Sequence, residues 1–159
     1  MPLHHDRLLQ GLWLLIFIVI VGAISLWIVG RLDQPYGPLR VTALAVGPRF
    51  STTYLVVPPR ERIRVDFSNM ARGQAHRWVL VAGDTVVADA LLAAADALAE
   101  RDLTNVASVL AASALLPYGY IEQITFISPD VGTYTYLCTV PGHYRDGMRG
   151  TLTVDSALR

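Results

Sequence analysis

Cysteine is almost missing from this chain: Cys138 is the only one among 159 residues. A single thiol excludes an intramolecular disulfide and any scaffold that depends on one. It also excludes metal sites built from two or more thiolates. An excess of charge of one sign is missing too. With 13 basic and 13 acidic residues the net charge is zero, so no whole-chain field would gather nucleic acid. Histidine numbers four and methionine three, and no internal repeat is visible. Charge is absent altogether from Leu8 to Gly30.

That uncharged stretch is bracketed by Arg7 and Arg31. At ~1.5 Å per residue it spans roughly 34 Å as a helix, enough for a hydrocarbon core of ~30 Å. Trp13 and Trp27 stand near its two ends, where interfacial aromatics are favoured. A secretory signal would carry an apolar run of about 7–15 residues and small residues at a cleavage site. This run is longer and ends Trp-Ile-Val-Gly-Arg-Leu-Asp, so a retained anchor over residues 8–30 is expected behind a short tail, 1–7. The flanking charges do not settle orientation by the positive-inside rule. The short tail favours an exported C-terminal domain.

Asp33-Gln-Pro-Tyr-Gly-Pro38 lies in a turn-rich linker, 31–39, that cannot continue a helix. One domain follows, over 40–155. Leu39–Val46, Thr53–Val57, Arg62–Ser68, His76–Val81, Tyr120–Ile127, Gly132–Thr139 and 150–155 read as short strands. Arg62-Ile-Arg-Val-Asp-Phe alternates polar and apolar residues, as a strand with one buried face requires. About seven strands with turn signals between them predict an all-β sandwich. Residues 88–116 break the pattern. Ala and Leu dominate there, with Leu91, Leu92, Ala95, Leu98 and Ala99 at helical spacing, so one or two inserted helices ending at Pro117 are expected.

The chemistry concentrates in Cys138-Thr-Val-Pro-Gly-His-Tyr-Arg-Asp-Gly-Met148. A thiolate, an imidazole and a weak axial thioether are what a mononuclear blue-copper centre takes from one loop, with a second histidine from elsewhere. His4 and His5 precede the apolar run, which leaves His76 and His143 as the imidazoles of the domain. Pro141-Gly142 forces a turn that presents His143 to the metal that Cys138 holds. Gly147 allows a second bend before Met148. Zinc would find no use for the methionine, and a catalytic multicopper site would need more histidines. A Cys138–His143 nucleophile would leave His76 and Met148 unexplained. Water-excluding packing that limits ligand movement favours rapid one-electron transfer, so an electron carrier is expected rather than an enzyme.

His76-Arg-Trp-Val-Leu resembles the first-ligand strand of azurin-like blue-copper proteins, the cupredoxins, and Cys138-Thr-Val-Pro-Gly-His143 resembles their ligand loop. The longer run to Val154 is most similar to the auracyanin branch, from filamentous anoxygenic phototrophs. The resemblance covers roughly residues 40–155. It implies a Greek-key β-sandwich holding one copper ion, cycling Cu(II)/Cu(I), through His76, Cys138, His143 and Met148. It also implies a membrane-tethered shuttle on the outer face of the cytoplasmic membrane. The implied donor is a quinol-oxidising membrane complex, and the acceptor a cytochrome of a reaction centre or a terminal oxidase.

Two positions depart from that pattern. Arg77 stands where the family commonly carries an Asn that braces the cysteine loop. Ala75 stands where azurin has a Gly whose carbonyl approaches the metal, so a backbone contact from Ala75 is a further candidate. The edge of His143 is the expected electron port, with Val140, Pro141 and Tyr144 as a weak docking patch. The rival expectation is a periplasmic copper-holding or copper-sensing module without redox partners.

Overall fold

The computed structural model describes residues 3–32, 34–93, 103 and 106–158. The chain divides into two units, Met1–Gln34 and Pro35–Arg159. The first is one helix, α1 (Leu3–Leu32). Every side chain from Leu12 to Gly30 is exposed, and this stretch of 19 residues is long and apolar enough to cross a membrane. A helix apolar all round has no face to offer water. It fits a membrane anchor or a signal segment.

The second unit holds β1 (Tyr36–Ala43), β2 (Tyr54–Val57), β3 (Arg62–Asn69), β4 (Val79–Val81), α2 (Thr85–Ala93), β5 (Val109–Ala112), β6 (Ile121–Ile127), β7 (Gly132–Leu137) and β8 (Arg149–Val154), then a 3-10 turn, Ser156–Leu158. The strands form two sheets, in the orders β1-β3-β6 and β2-β8-β7-β4-β5. β1 runs parallel to β3 and β2 parallel to β8, and the other pairings are antiparallel. Pro38 sits on β1, a sheet edge, where the missing N–H breaks no ladder bond.

Alternation explains the core. Ile63, Val65 and Phe67 of β3 are fully buried, and they meet Val41, Phe50, Leu55, Trp78, Leu80, Tyr136 and Leu152 between the sheets. β4 is buried at all three positions because both of its faces are covered. Leu80 joins the core between the sheets. Val79 and Val81 pack outward with Leu137 against Ala88 and Leu91 of α2, Leu103 and Tyr144. A strand covered on two sides reads as a continuous apolar run, and Trp-Val-Leu-Val-Ala does.

The inserted segment differs from expectation. Its helix starts earlier, at Thr85, because Asp84 caps it: the Asp84 carboxylate accepts the Val86 N–H at 2.9 Å. Its far part is not helical, since Val109–Ala112 pairs with β4 as β5 and Leu116 bridges to His76. The open edge of β4 offers ladder hydrogen bonds that outweigh the helix preference of Ala and Leu. Ala95, Leu98 and Ala99 lie outside the described residues. His76 does not begin a strand either. It makes an isolated bridge, and β4 starts three residues later.

Candidate metal centre

His76 leaves a loop that one side chain holds. Asn69, fully buried at the end of β3, donates through Nδ2 to the carbonyls of Gln74 and Leu116, each at 2.8 Å. Its Oδ1 accepts the Ala71 N–H at 2.9 Å. Two main-chain bonds between His76 and Leu116 then fix the backbone of this candidate ligand. Sequence reasoning did not single out Asn69. The signal was present, because Asn69 falls on the buried phase of β3 (Ile63, Val65, Phe67), where a polar residue needs a reason.

Cys138 follows β7, and its N–H donates to the Met148 carbonyl at 3.0 Å, extending the β7–β8 ladder by one step. Between them the chain coils through tight turns: His143 N–H to Val140 O, Asp146 N–H to Gly142 O, Gly147 N–H to Tyr144 O and Met148 N–H to His143 O. Gly142 and Gly147 take φ of 87° and 102°, angles open to glycine and strained for other residues. The ligand loop is therefore shaped by its own backbone.

These elements bring a sulfur and two imidazoles together. The Cys138 sulfur lies 3.6 Å from Nδ1 of His143 and 4.0 Å from Nδ1 of His76. Ligand atoms of the three residues lie within 4.8 Å of one another, and the two rings are 4.8 Å apart at 35°. Metal–thiolate and metal–imidazole bonds of ~2.3 and ~2.0 Å, meeting near a trigonal or tetrahedral angle, place sulfur and nitrogen about 3.5–3.7 Å apart. The donor set fits one metal ion. Met148 is fully buried in the same cluster as Cys138.

Burial sets the protonation states. The His76 pKa is pushed down to about 4 by desolvation, with the neighbouring His143 adding to it. His143 also titrates below the usual histidine range through burial, and Asp146 opposes the shift. Both rings are neutral at pH 7, as ligation requires. Burial pushes the Cys138 thiol up, while backbone hydrogen bonds from Arg77 and Val140 and the Arg77 charge pull it down. A raised, buried thiol is a poor nucleophile.

Nε2 of His76 is buried with no hydrogen-bond partner, as is Nε1 of Trp78. Arg77 is itself buried, at 4% exposure, so a guanidinium stands inside the protein beside the thiol. Ala75 is partly buried. One expectation needs correction: Tyr144 is no part of an exposed patch. It is buried in the cluster beneath α2, with the Arg149 guanidinium 4.8 Å from its ring centre, because the loop turns this side chain inward. Val140 is half-buried and Pro141 exposed.

Comparison with known proteins agrees with this geometry. The family profile "Copper binding proteins, plastocyanin/azurin family" matches residues 47–155. Auracyanin-B of Chloroflexus aurantiacus is 39% identical over 126 residues, which is 77% of this chain and 54% of that protein, so the chain spans about half the length of this relative. A solved structure of auracyanin B is similar with a TM-score of 0.71 at 40% identity, covering 77% of this chain and 91% of the other. That of auracyanin A, described as a "blue" copper protein from the green thermophilic photosynthetic bacterium Chloroflexus aurantiacus, has a TM-score of 0.67 at 30% identity and covers 74% and 97%. The chain belongs to the plastocyanin/azurin family of copper-binding proteins, and its cofactor is one copper ion.

Proposed function

We propose that this chain is a membrane-anchored type 1 copper protein that carries single electrons between redox complexes. The observation that carries the reading is the convergence of one thiol sulfur and two neutral imidazole nitrogens in a buried pocket. His76, Cys138 and His143 hold the metal in this reading, and Met148 supplies the weak axial thioether. The Ala75 carbonyl is a candidate for a further backbone contact. Copper, when bound, supplies a one-electron Cu(II)/Cu(I) couple.

The protein's own residues make that couple fast. Packing around Cys138 and Met148 and the backbone-shaped ligand loop keep the donors from moving between oxidation states. His143 is the port: it keeps 9% exposure where the two other clustered ligands keep 0–1%, and Pro141 and Gly142 beside it are exposed. Residues 8–30 anchor the chain as a single pass, with the domain (40–155, including the insertion at 88–116) on the extracytoplasmic side and the linker 31–39 between them. The similarity to auracyanins supports a place in photosynthetic or respiratory electron transport. A quinol-oxidising complex would be the donor, and a reaction-centre cytochrome or terminal oxidase the acceptor.

The test is the visible spectrum of the Cu(II)-loaded protein. An intense thiolate-to-copper charge-transfer band is expected, lost in Cys138→Ser, together with reversible one-electron cycling. A colourless protein indifferent to copper would sink the reading. A coloured protein that does not cycle would mark a copper-holding module instead.

A further inference from the structure

The end of the sandwich that carries the ligands is segregated in charge. β1 and β3 are parallel and finish side by side, Ala43 opposite Asn69, so residues 44–49 and 70–75 leave the sheet at this end. Residues 117–120 join them, because Asn69 exchanges backbone hydrogen bonds with Gly119 and Tyr120. The ligand loop, 139–148, arrives there with His143. Across these loops and the first residue of β8, four exposed arginines, Arg49, Arg72, Arg145 and Arg149, face one exposed carboxylate, Asp146, while Glu122 at the start of β6 is half-buried and accepts the Ala114 N–H. The chain as a whole carries no net charge, so this excess is a local field and not a consequence of composition.

The arginines are placed as well as numerous. Arg72 lies 5.4 Å from the ring centre of Tyr118, and Arg149 stands over Tyr144. These contacts hold planar cations at the rim at reduced entropic cost. Among the described residues none of the four forms a salt bridge, whereas Arg60 and Arg64 are taken by Asp130 and Asp66 elsewhere on the domain. Val46 (86% exposed), Met70 (41%) and Tyr118 (46%) lie in the same loops. Apolar exposure ringed by unpaired cations is a docking surface with a preferred sign.

We infer that this face docks an acidic redox protein, one whose own docking surface is rich in carboxylates. The arginines steer the encounter and the apolar residues make a brief contact over His143. The inference rests on the electron-carrier reading and names the chemistry of its partner.

Two readouts on the full chain in non-ionic detergent test it. Labelled poly-L-glutamate, followed by fluorescence anisotropy with and without copper, is expected to bind the wild type. Binding should weaken about tenfold in the Arg72→Gln/Arg145→Gln double variant and stay unchanged in Arg40→Gln/Arg60→Gln, which removes equal charge away from this face. Electron transfer from the reduced protein to hexacyanoferrate(III) should slow roughly tenfold as ionic strength rises from ~0.01 to ~0.15 M and the Debye length falls from about 30 to about 8 Å. The face variant should lose that dependence.

Equal effects of the two double variants, or no polyglutamate binding, would overturn the inference. Binding to anionic phospholipid vesicles without binding to polyglutamate would also overturn it, assigning the face to a lipid surface. Polyglutamate binding with no electron transfer from the wild type would instead overturn the carrier reading, and with it the redox nature of the partner.

Discussion

Cys138, His76 and His143 are close because each is held by backbone: an extended β7–β8 ladder, a bridge to Leu116 and a chain of turns. In the proposed site Met148 differs, since a thioether is a weak donor whose removal would leave the three clustered donors in place. Met148→Leu, nearly equal in volume, is expected to keep the blue colour. It should raise the reduction potential by on the order of 60 mV, one tenfold shift of a one-electron equilibrium, because a donor that helps Cu(II) is lost. Potentiometric titration reads this, and an unchanged potential would remove Met148 from the ligand set.

The histidines also predict a pH dependence for the metal-free protein. His76 takes a proton near pH 4 when folded and near 6.5 when unfolded. Below pH 6.5 the unfolded chain binds the extra proton, so its contribution is present above 6.5 and declines until about pH 4. The loss is about 3 kcal/mol. Denaturant midpoints of metal-free protein at pH 7, 5.5 and 4 should fall in that order, and equal midpoints would contradict the assignment.

Among the elements, the loop before His76 depends most on a single side chain. Asn69→Ala would leave the Gln74 carbonyl and the Ala71 N–H without their partner and the Leu116 carbonyl with the His76 N–H alone. A cost of about 2–3 kcal/mol is expected, with faster copper loss because residues 70–75 no longer hold His76. Thermal melts and chelator competition measure the two effects; a melt that drops with copper retention unchanged would make Asn69 purely structural. The inserted segment shows a different balance. α2 follows from local sequence, an Asp84 cap and an apolar face. β5 does not, because its four residues are Val-Leu-Ala-Ala and only the free edge of β4 makes them a strand.

The whole molecule is two compact units with different solvents in prospect. α1 exposes an uncharged, overwhelmingly apolar surface along its 19 residues Leu12–Gly30, Ser25 being the one polar side chain, while the domain buries its own apolar residues between and beneath its sheets. A chain starting at Pro35 is therefore expected to be soluble without detergent and to keep the copper band, while the full chain partitions with membranes. Fractionation and a visible spectrum of both decide it. A truncated domain that precipitates or loses copper would show that the domain depends on the first unit.

Much of this was legible in the residues alone. Period-two alternation placed β3, proline and glycine placed the ligand-loop turns, and the scarcity of cysteine and histidine pointed to Cys138, His143, Met148 and His76, because those rules act over a few neighbouring residues. Three features arise between residues far apart in the chain, and only the tertiary structure decided them. Tyr144 turned inward because α2 and β4 build a second core beneath it. Asn69 became the brace of the His76 loop because Leu116, 47 residues away, is brought to its side chain. Arg49, Arg72, Arg145 and Arg149 became one cationic face because parallel pairing ends β1 and β3 together, and a sum of charges over a neutral sequence carries no record of which loops share an end.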